Sequence, residues 1–310
     1  MSGLKGKRIL VTGASGLVAF PVARELARDN EVFAVARWSD PAQKKLIEKT
    51  GAQPVTFDMA NEDLSVLPKT VDVVINYGVL PFPHKDSFSV NTAAAGRLAR
   101  RYREAEAFVH GSTGSAYEYQ GERPLKEEDP YGLHASIEMY ATSKIASEFL
   151  LQHLSVDYAL PVTIVRIFTF YGPRGGAVTQ RIDQVARGLP VSIYPGFKNI
   201  STPLYEDDYV EKTIAAAGIA KVGAETVNVG GTEPVTIQEY CRMAGEILGR
   251  EPIFVENSRA WPIWADTTKM VKLLGPNKVS MREGIRRTIE LADQRIGGAH
   301  HVVGTPALSE

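Results

Sequence analysis

KRILVTGASGLVAFPVARELAR, residues 7 to 28, is the stretch whose reading decides the fold. Ile9, Leu10 and Val11 make a short apolar run, Gly13 and Gly16 turn the chain, and Leu17, Val18, Val22 and Leu26 recur at helical spacing. A buried strand therefore delivers the chain to a glycine turn, and a helix N-terminus leaves it. Unpaired N–H groups and the positive end of the helix dipole face outward together there, and glycine lets a pyrophosphate approach the backbone. Gly13, Gly16 and the small Ala19 form the dinucleotide pattern, although glycines at a strand-to-helix turn can be purely structural. The rest of the chain must decide.

The chain has 310 residues, 44% hydrophobic and 23% charged, enough for a sizeable core of an ordinary globular protein. Its net charge of −1, with acids and bases interspersed, offers no nucleic-acid or anionic-membrane surface. The single cysteine, Cys241, sits in an amphipathic pattern and reads as a core thiol rather than a nucleophile. No apolar stretch reaches bilayer length, and residue 1 leads into the first strand without a signal-peptide core. The expected compartment is the cytosol.

Outward from the first helix, strands and helices alternate. Strands are expected at 31–36, 54–57, 71–75, 107–110 and 161–167, with helices at 41–50, 91–105 and 136–154 between them. This is the rhythm of an α/β fold with a doubly wound parallel Rossmann sheet. Residues 1–170 read as the dinucleotide-binding domain, 171–296 as a smaller C-terminal substrate-binding domain from which 205–230 returns to the sheet, and 297–310 as a loose tail. His300 and His301 in that tail read as incidental, and no metal site is expected. Leu80, Phe82, Phe170, Tyr194, Trp261 and Trp264 read as packing, and His84 and His134 as solvated.

Ligands of open parallel sheets collect at the carboxyl ends of the strands. The second strand ends in Ala36 and Arg37, without the carboxylate that binds a free ribose 2′-hydroxyl. An arginine accommodates a 2′-phosphate, so NADP is the expected cofactor and NAD the alternative, with Asp40 reaching the ribose from the loop. The third strand ends at Asp58 and Met59, within reach of the adenine edge; the fourth ends in Asn76, Tyr77 and Gly78. The fifth closes on a hydroxyl cluster, Ser112, Thr113 and Ser115.

Tyr140 and Lys144 stand one helical turn apart on one face. An ammonium about 4 Å from a phenol favours the phenolate by roughly 4 kcal/mol at an effective dielectric near 20, about three pH units before desolvation opposes it. The pair is thus expected to bring a tyrosine acid/base toward neutral pH, with a hydroxyl from the fifth strand holding the substrate oxygen.

The chain resembles the extended short-chain dehydrogenase/reductases, the NAD-dependent epimerase/dehydratase family, from Lys7 to about Arg287. The resemblance rests on VTGASGLVA (11–19), GSTGSAYE (111–118), YATSK (140–144), RIFTFYGP (166–173), PLYEDDYV (203–210), NVGG (228–231) and WADTTKMVKLLG (264–275). It implies Thr113, Tyr140 and Lys144 as catalytic. It implies cofactor contacts at Gly13, Ser15, Gly16, Leu17, Val18, Arg37, Asp58, Met59, Tyr77, Gly78, Asn91, Tyr140, Lys144 and Phe168. For substrate it implies Ser112, Thr113, Ser115, Thr169, Arg174 and Arg259, and for assembly a homodimer packed through helices 91–105 and 136–154.

Departures from the family pattern matter. Thr169 and Ser201 replace an asparagine and an arginine that nucleotide-sugar enzymes use, and each lost charge-assisted contact to a diphosphate costs about 1.5–3 kcal/mol. Gly114 and Ser115 replace the Asp-Glu pair of sugar 4,6-dehydratases, which argues against dehydration. The expected activity is hydride transfer at a secondary alcohol or ketone of a small polar, sugar-like molecule. The alternative is a sugar or nucleotide-sugar epimerase working through a transient ketone with tightly held cofactor. A third reading is a dinucleotide sensor, opposed by the joint presence of Thr113, Tyr140 and Lys144.

Overall fold

A computed structural model describes residues 4–81, 84–132, 138–257 and 262–292. Phe82, His134, Arg259, Trp261, His300 and His301 lie outside the described residues. Seven parallel strands form one sheet: β1 (Arg8–Thr12), β2 (Glu31–Ala36), β3 (Gln53–Thr56), β4 (Val73–Asn76), β5 (Ala107–Thr113), β6 (Val162–Ile167) and β7 (Glu225–Val229). Their order across the sheet is β3-β2-β1-β4-β5-β6-β7. The order reverses on either side of β1, which opens a crevice at the carboxyl ends of β1 and β4.

Both faces of this sheet are covered, which explains why Ile9, Leu10 and Val11 of β1 run apolar in succession rather than alternating. Ile9 and Val11 join Val32, Ala34, Val73 and Ile75 on one side. Leu10 joins Phe33, Val35 and Val74 on the other. Register holds the layers together, with Leu10 opposite Phe33 on one flank and Val74 on the other. Each such side chain, fully buried, contributes about 1.5–3 kcal/mol.

The helices are α1 (Ala19–Leu26), α2 (Pro41–Glu48), α3 (Ala94–Arg101), α4 (Glu138–Asp157), α5 (Ala177–Arg187), α6 (Glu206–Ala217), α7 (Ile237–Leu248), α8 (Thr268–Leu274) and α9 (Met281–Glu290). Asp40 caps α2 by accepting the Ala42 amide, which engages it locally. Helices α5, α7 and α9 pack around their own apolar cluster, which includes Val178, Ile182, Tyr240, Cys241 and Ile285. Burial pushes the Cys241 thiol up to about 12, so it is a packing group. No helix among the described residues is long and apolar enough to cross a membrane.

Three elements differ from expectation. Leu17 and Val18 belong to the turn before α1, which starts at Ala19. The stretch expected as one helix over 91–105 opens with a π-helical turn at Ser89–Ala93 before α3. Strand β5 runs on to Thr113, because Gly111, Ser112 and Thr113 pair with Val165, Arg166 and Ile167 of β6. Ladder pairing in a buried sheet has overridden the turn propensity of a Gly-Ser-Thr-Gly string. That extension carries the hydroxyls to the end of the sheet in rigid backbone.

Candidate active site

The glycine turn comes first. Gly13 has φ +71°, and a Cβ there would lie 2.7 Å from the Tyr77 carbonyl oxygen and 2.9 Å from Gly78 Cα. Only glycine lets the β1–α1 turn lie against the end of β4. The Gly78 amide donates to Thr12 Oγ1 at 2.8 Å, locking the two strand ends together. Among the described residues, no acceptor faces the amides of Ser15, Leu17 and Val18. Orphaned donors at a helix entrance are what a dinucleotide pyrophosphate requires, so the residues present fit that group.

At the adenosine end, Arg37, Thr56, Phe57, Asp58, Asn61, Glu62, Asp63, Ser65 and Val66 line an open cleft of about 770 Å³. Arg37 is exposed, and Trp38 behind it takes a left-handed φ of +50° with its indole N–H on the Val55 carbonyl. Asp58 accepts the Ala60 amide, and hydrogen bonds from Ser65 hold the Asp63 carboxyl below the usual range. A 2′-phosphate in this cleft would meet one guanidinium and three carboxylic side chains.

Helix α4 crosses the carboxyl end of β5, and Tyr140, Lys144, Ser147 and Glu148 form its inner stripe at helical spacing. The Tyr140 hydroxyl shares a hydrogen bond with Thr113, whose Oγ1 also accepts the Ser115 amide at 3.1 Å. Thr113 and Tyr140 are thus brought together as expected, two hydroxyls facing one point. The expected effect of Lys144 on Tyr140 is corrected. Removing the phenol from water raises its pKa, opposed only by the Thr113 hydrogen bond. Lys144 Nζ lies 3.1 Å from His110 Nε2, and burial pushes that lysine down to about 7 despite the nearby Glu148 carboxylate. Desolvation outweighs the pairing in the ligand-free protein.

Ser112 is also corrected, because it does not face the substrate. Side chains alternate along a strand, and Ser112 donates instead to the buried Glu148 carboxylate. Glu148 further accepts from Tyr131 at 2.9 Å and from Arg166 Nη2 at 2.8 Å; it is 0% exposed and Arg166 only 2%. The Arg166 guanidinium lies over both Tyr117 and Tyr131, at 4.6 and 4.7 Å from their centroids. Sequence reading passed over this cluster, whose signal was a charge inside the apolar strand VTIVRI and a glutamate one turn beyond Lys144.

The other expected contacts divide. Asn91 clamps the loop after β4, accepting the Leu80 amide and donating to Leu80 O and Ser143 Oγ, so its side chain is structural. The Tyr77 ring is buried beneath Gly111, with its hydroxyl on Thr213 at 3.0 Å; only its backbone adjoins the turn. Met59 covers Gly78, and Phe168 closes over Gly114. Arg174 is turned onto α1, its guanidinium 3.9 Å above the Phe20 ring, and Ser201 donates to the Val235 carbonyl. Thr169 offers its carbonyl to the Leu204 amide.

The family model for the NAD dependent epimerase/dehydratase family matches residues 9–230. A Bacillus subtilis protein named as an uncharacterized UDP-glucose epimerase is 26% identical over 309 residues, spanning 91% of this chain and 96% of its own. The UDP-N-acetyl-alpha-D-glucosaminuronate decarboxylase of Bacillus cytotoxicus is 28% identical, with coverages of 92% and 97%. The crystal structure of a Bacillus cereus UDP-glucuronic acid 4-epimerase, with UDP-glucuronic acid and NAD, superposes at TM-score 0.80 and 25% identity, covering 93% and 99% of the two chains. Matched by the family model over most of its length, the chain belongs to the NAD-dependent epimerase/dehydratase family of extended short-chain dehydrogenase/reductases and is an enzyme of that family.

Proposed function

We infer that this enzyme is a nucleotide-sugar epimerase that inverts a ring carbinol through a transient ketone, with NAD held in the β1–β4 crevice. The observation that carries this reading is the Thr113–Tyr140 hydroxyl pair at the end of β5, beside an anion-ready glycine turn. Its support from outside the chain is that proteins alike over nearly their whole length are named for UDP-sugar chemistry. This is the epimerase alternative of the sequence reading, preferred over a freely exchanging dehydrogenase.

Thr113 Oγ1 holds the carbinol oxygen, and Tyr140 takes its proton as a general base. When bound, the nicotinamide supplies the hydride acceptor and donor. Tyr140, now protonated, returns that proton to the carbonyl oxygen when hydride comes back to the opposite face. The sugar must turn between the two half-reactions while its diphosphate stays held. Ser201 and Thr169 contribute no cationic contact to that diphosphate, so the grip rests on other groups.

NAD is favoured over NADP by the acidic company of Arg37: Asp58, Glu62 and Asp63 repel a 2′-phosphate. Denaturing the purified enzyme should release near-stoichiometric NAD, and incubation with UDP-glucose, UDP-glucuronic acid or UDP-N-acetylglucosamine should yield an epimer by NMR. An empty protein that binds NADPH more tightly and exchanges it freely would instead establish the dehydrogenase.

The homodimer belongs to the same reading. Met139 (42%), Phe149 (54%) and Val156 (61%) leave apolar surface exposed along α4. A second copy packed there buries it, and Phe149→Glu should convert a dimer to a monomer in sedimentation velocity. A wild-type monomer would remove this proposal.

A further inference from the structure

Leu17, Phe20 and Arg24 fall on one side of α1 and the turn before it, spaced three and four residues apart. Each meets a residue near the chain that leads from the short strand Phe170–Gly172 into α5. Gly175 sits on Leu17, where a Cβ would lie 3.1 Å from both leucine methyl carbons. The Arg174 guanidinium covers the Phe20 ring at 3.9 Å, and Arg24 Nη2 reaches Glu206 Oε1 at 3.0 Å. Three contacts in succession thus seam the cofactor turn and its helix to residues 172–176 and to the start of α6.

Glu206 is the fixed point of that seam. Leu204 and Tyr205 pair with Phe170 and Tyr171, which sets Glu206 against Gly172, and a Cβ on that glycine would lie 2.9 Å from Glu206 Oε2. Only 4% exposed, the carboxylate stands in the field of two guanidiniums but bonds to one. Glu206 Oε2 and Arg174 Nε are both buried without a hydrogen-bond partner among the described residues. Burial pushes Glu206 up and Arg174 down, and the opposite charge of the other works against each shift. Gly175 and Gly176, at φ +144° and +113°, hold the backbone that carries Arg174 in a form glycine adopts readily. Without the carboxylate, Arg24 and Arg174 would confront each other as like charges beside Phe20.

We propose that Glu206 and Arg174 are positioning residues for the cofactor turn: the carboxylate steadies both guanidiniums, Arg174 and Gly175 bear on Phe20 and Leu17, and the amides of Ser15, Leu17 and Val18 are thereby held where a dinucleotide pyrophosphate needs them. The proposal rests on the reading of NAD as the resident cofactor. An epimerase must keep its NAD from one half-reaction to the next, and a turn fixed before binding loses less freedom when the pyrophosphate arrives. Neither side chain supplies one of the amides, so their effect passes through α1.

The test compares ligands that do and do not carry the pyrophosphate, on enzyme stripped of cofactor. Glu206→Gln keeps the shape of the side chain and removes its charge. It should weaken NAD and ADP-ribose by about tenfold, the scale of an ordinary coupling between sites, and leave adenosine binding in the Asp58 cleft unchanged. Hydrogen exchange at Phe20 to Leu26 should quicken in the same stripped protein. Arg174→Met reads the seam from its half-buried side and serves if the first variant fails to fold. Unchanged NAD and ADP-ribose affinities overturn the proposal, and so does a loss shared in equal proportion by adenosine, which marks general loosening. Faster exchange in α1 with no NAD or ADP-ribose binding by the wild type would sink the cofactor reading while the seam stands; wild-type exchange and affinity in both variants would sink the seam with the cofactor reading intact.

Discussion

Tyr140→Phe is expected to lower epimerisation by 10²- to 10⁴-fold, the range of a positioned general acid/base. The phenyl ring keeps the packing, so NAD released on denaturation should stay near one per chain and the thermal transition should stay close to the wild type. Kinetics and cofactor release measured on one preparation separate the role of Tyr140 in the reaction from any role in assembling the site. Retained turnover would transfer the acid/base role to another group. The direction of the Tyr140 shift strengthens this prediction. Burial alone holds the phenol protonated, so for Tyr140 to act as a base the cofactor must bring its pKa down, measurable as tyrosinate absorbance when NAD is titrated into enzyme first stripped of it.

The second large effect falls on stability. Arg166→Met is expected to cost about 3–5 kcal/mol, because it removes the guanidinium that pairs with the fully buried Glu148 carboxylate and leaves it the Tyr131 and Ser112 hydroxyls and the nearby, equally buried Lys144 amine. Urea unfolding followed by circular dichroism would read the change as a lowered midpoint. The paired variant Arg166→Met with Glu148→Met should recover most of the loss, since an ion pair exchanged for apolar groups of similar volume is close to neutral. Equal losses in the single and double variants would show that the guanidinium acts through its stacking on Tyr117 and Tyr131 instead. Glu148 also lies one turn beyond Lys144, so this pair ties α4 to β6 and sets the height of the inner stripe against β5.

Features carried by local chemistry were legible in the chain. The strand-turn-helix of residues 7–28, the second strand at 31–36 and the helix spacing of Tyr140 and Lys144 all depend on neighbours within a few residues. Hydrophobic period and glycine placement report on those directly. The short pieces beyond Pro173 were less legible, because two-residue strands such as Ile200–Ser201 exist only where a distant partner supplies the ladder.

Charge was the harder part. Arg37 read alone suggests a 2′-phosphate, yet the cleft sets it among carboxylates from the loop after β3, some twenty residues away in sequence. Ser112 read as one of a cluster of hydroxyls, but strand alternation and a glutamate 36 positions later turn it away from substrate. His110 read as the last residue of an apolar run, and its partners Asn76 and Lys144 each stand 34 positions distant.

By itself, the sequence determined the parallel sheet, the anion-ready turn and which residues could act as acid and base, since these follow from periodicity, backbone freedom and functional-group chemistry along a few turns of chain. The tertiary structure alone decided the direction in which burial shifts Tyr140 and Lys144, the orientation of Ser112 and the company of Arg37. A pKa or a hydrogen-bond direction depends on which groups exclude water from a site, and those groups are contributed by strands and helices that meet only when the sheet has closed.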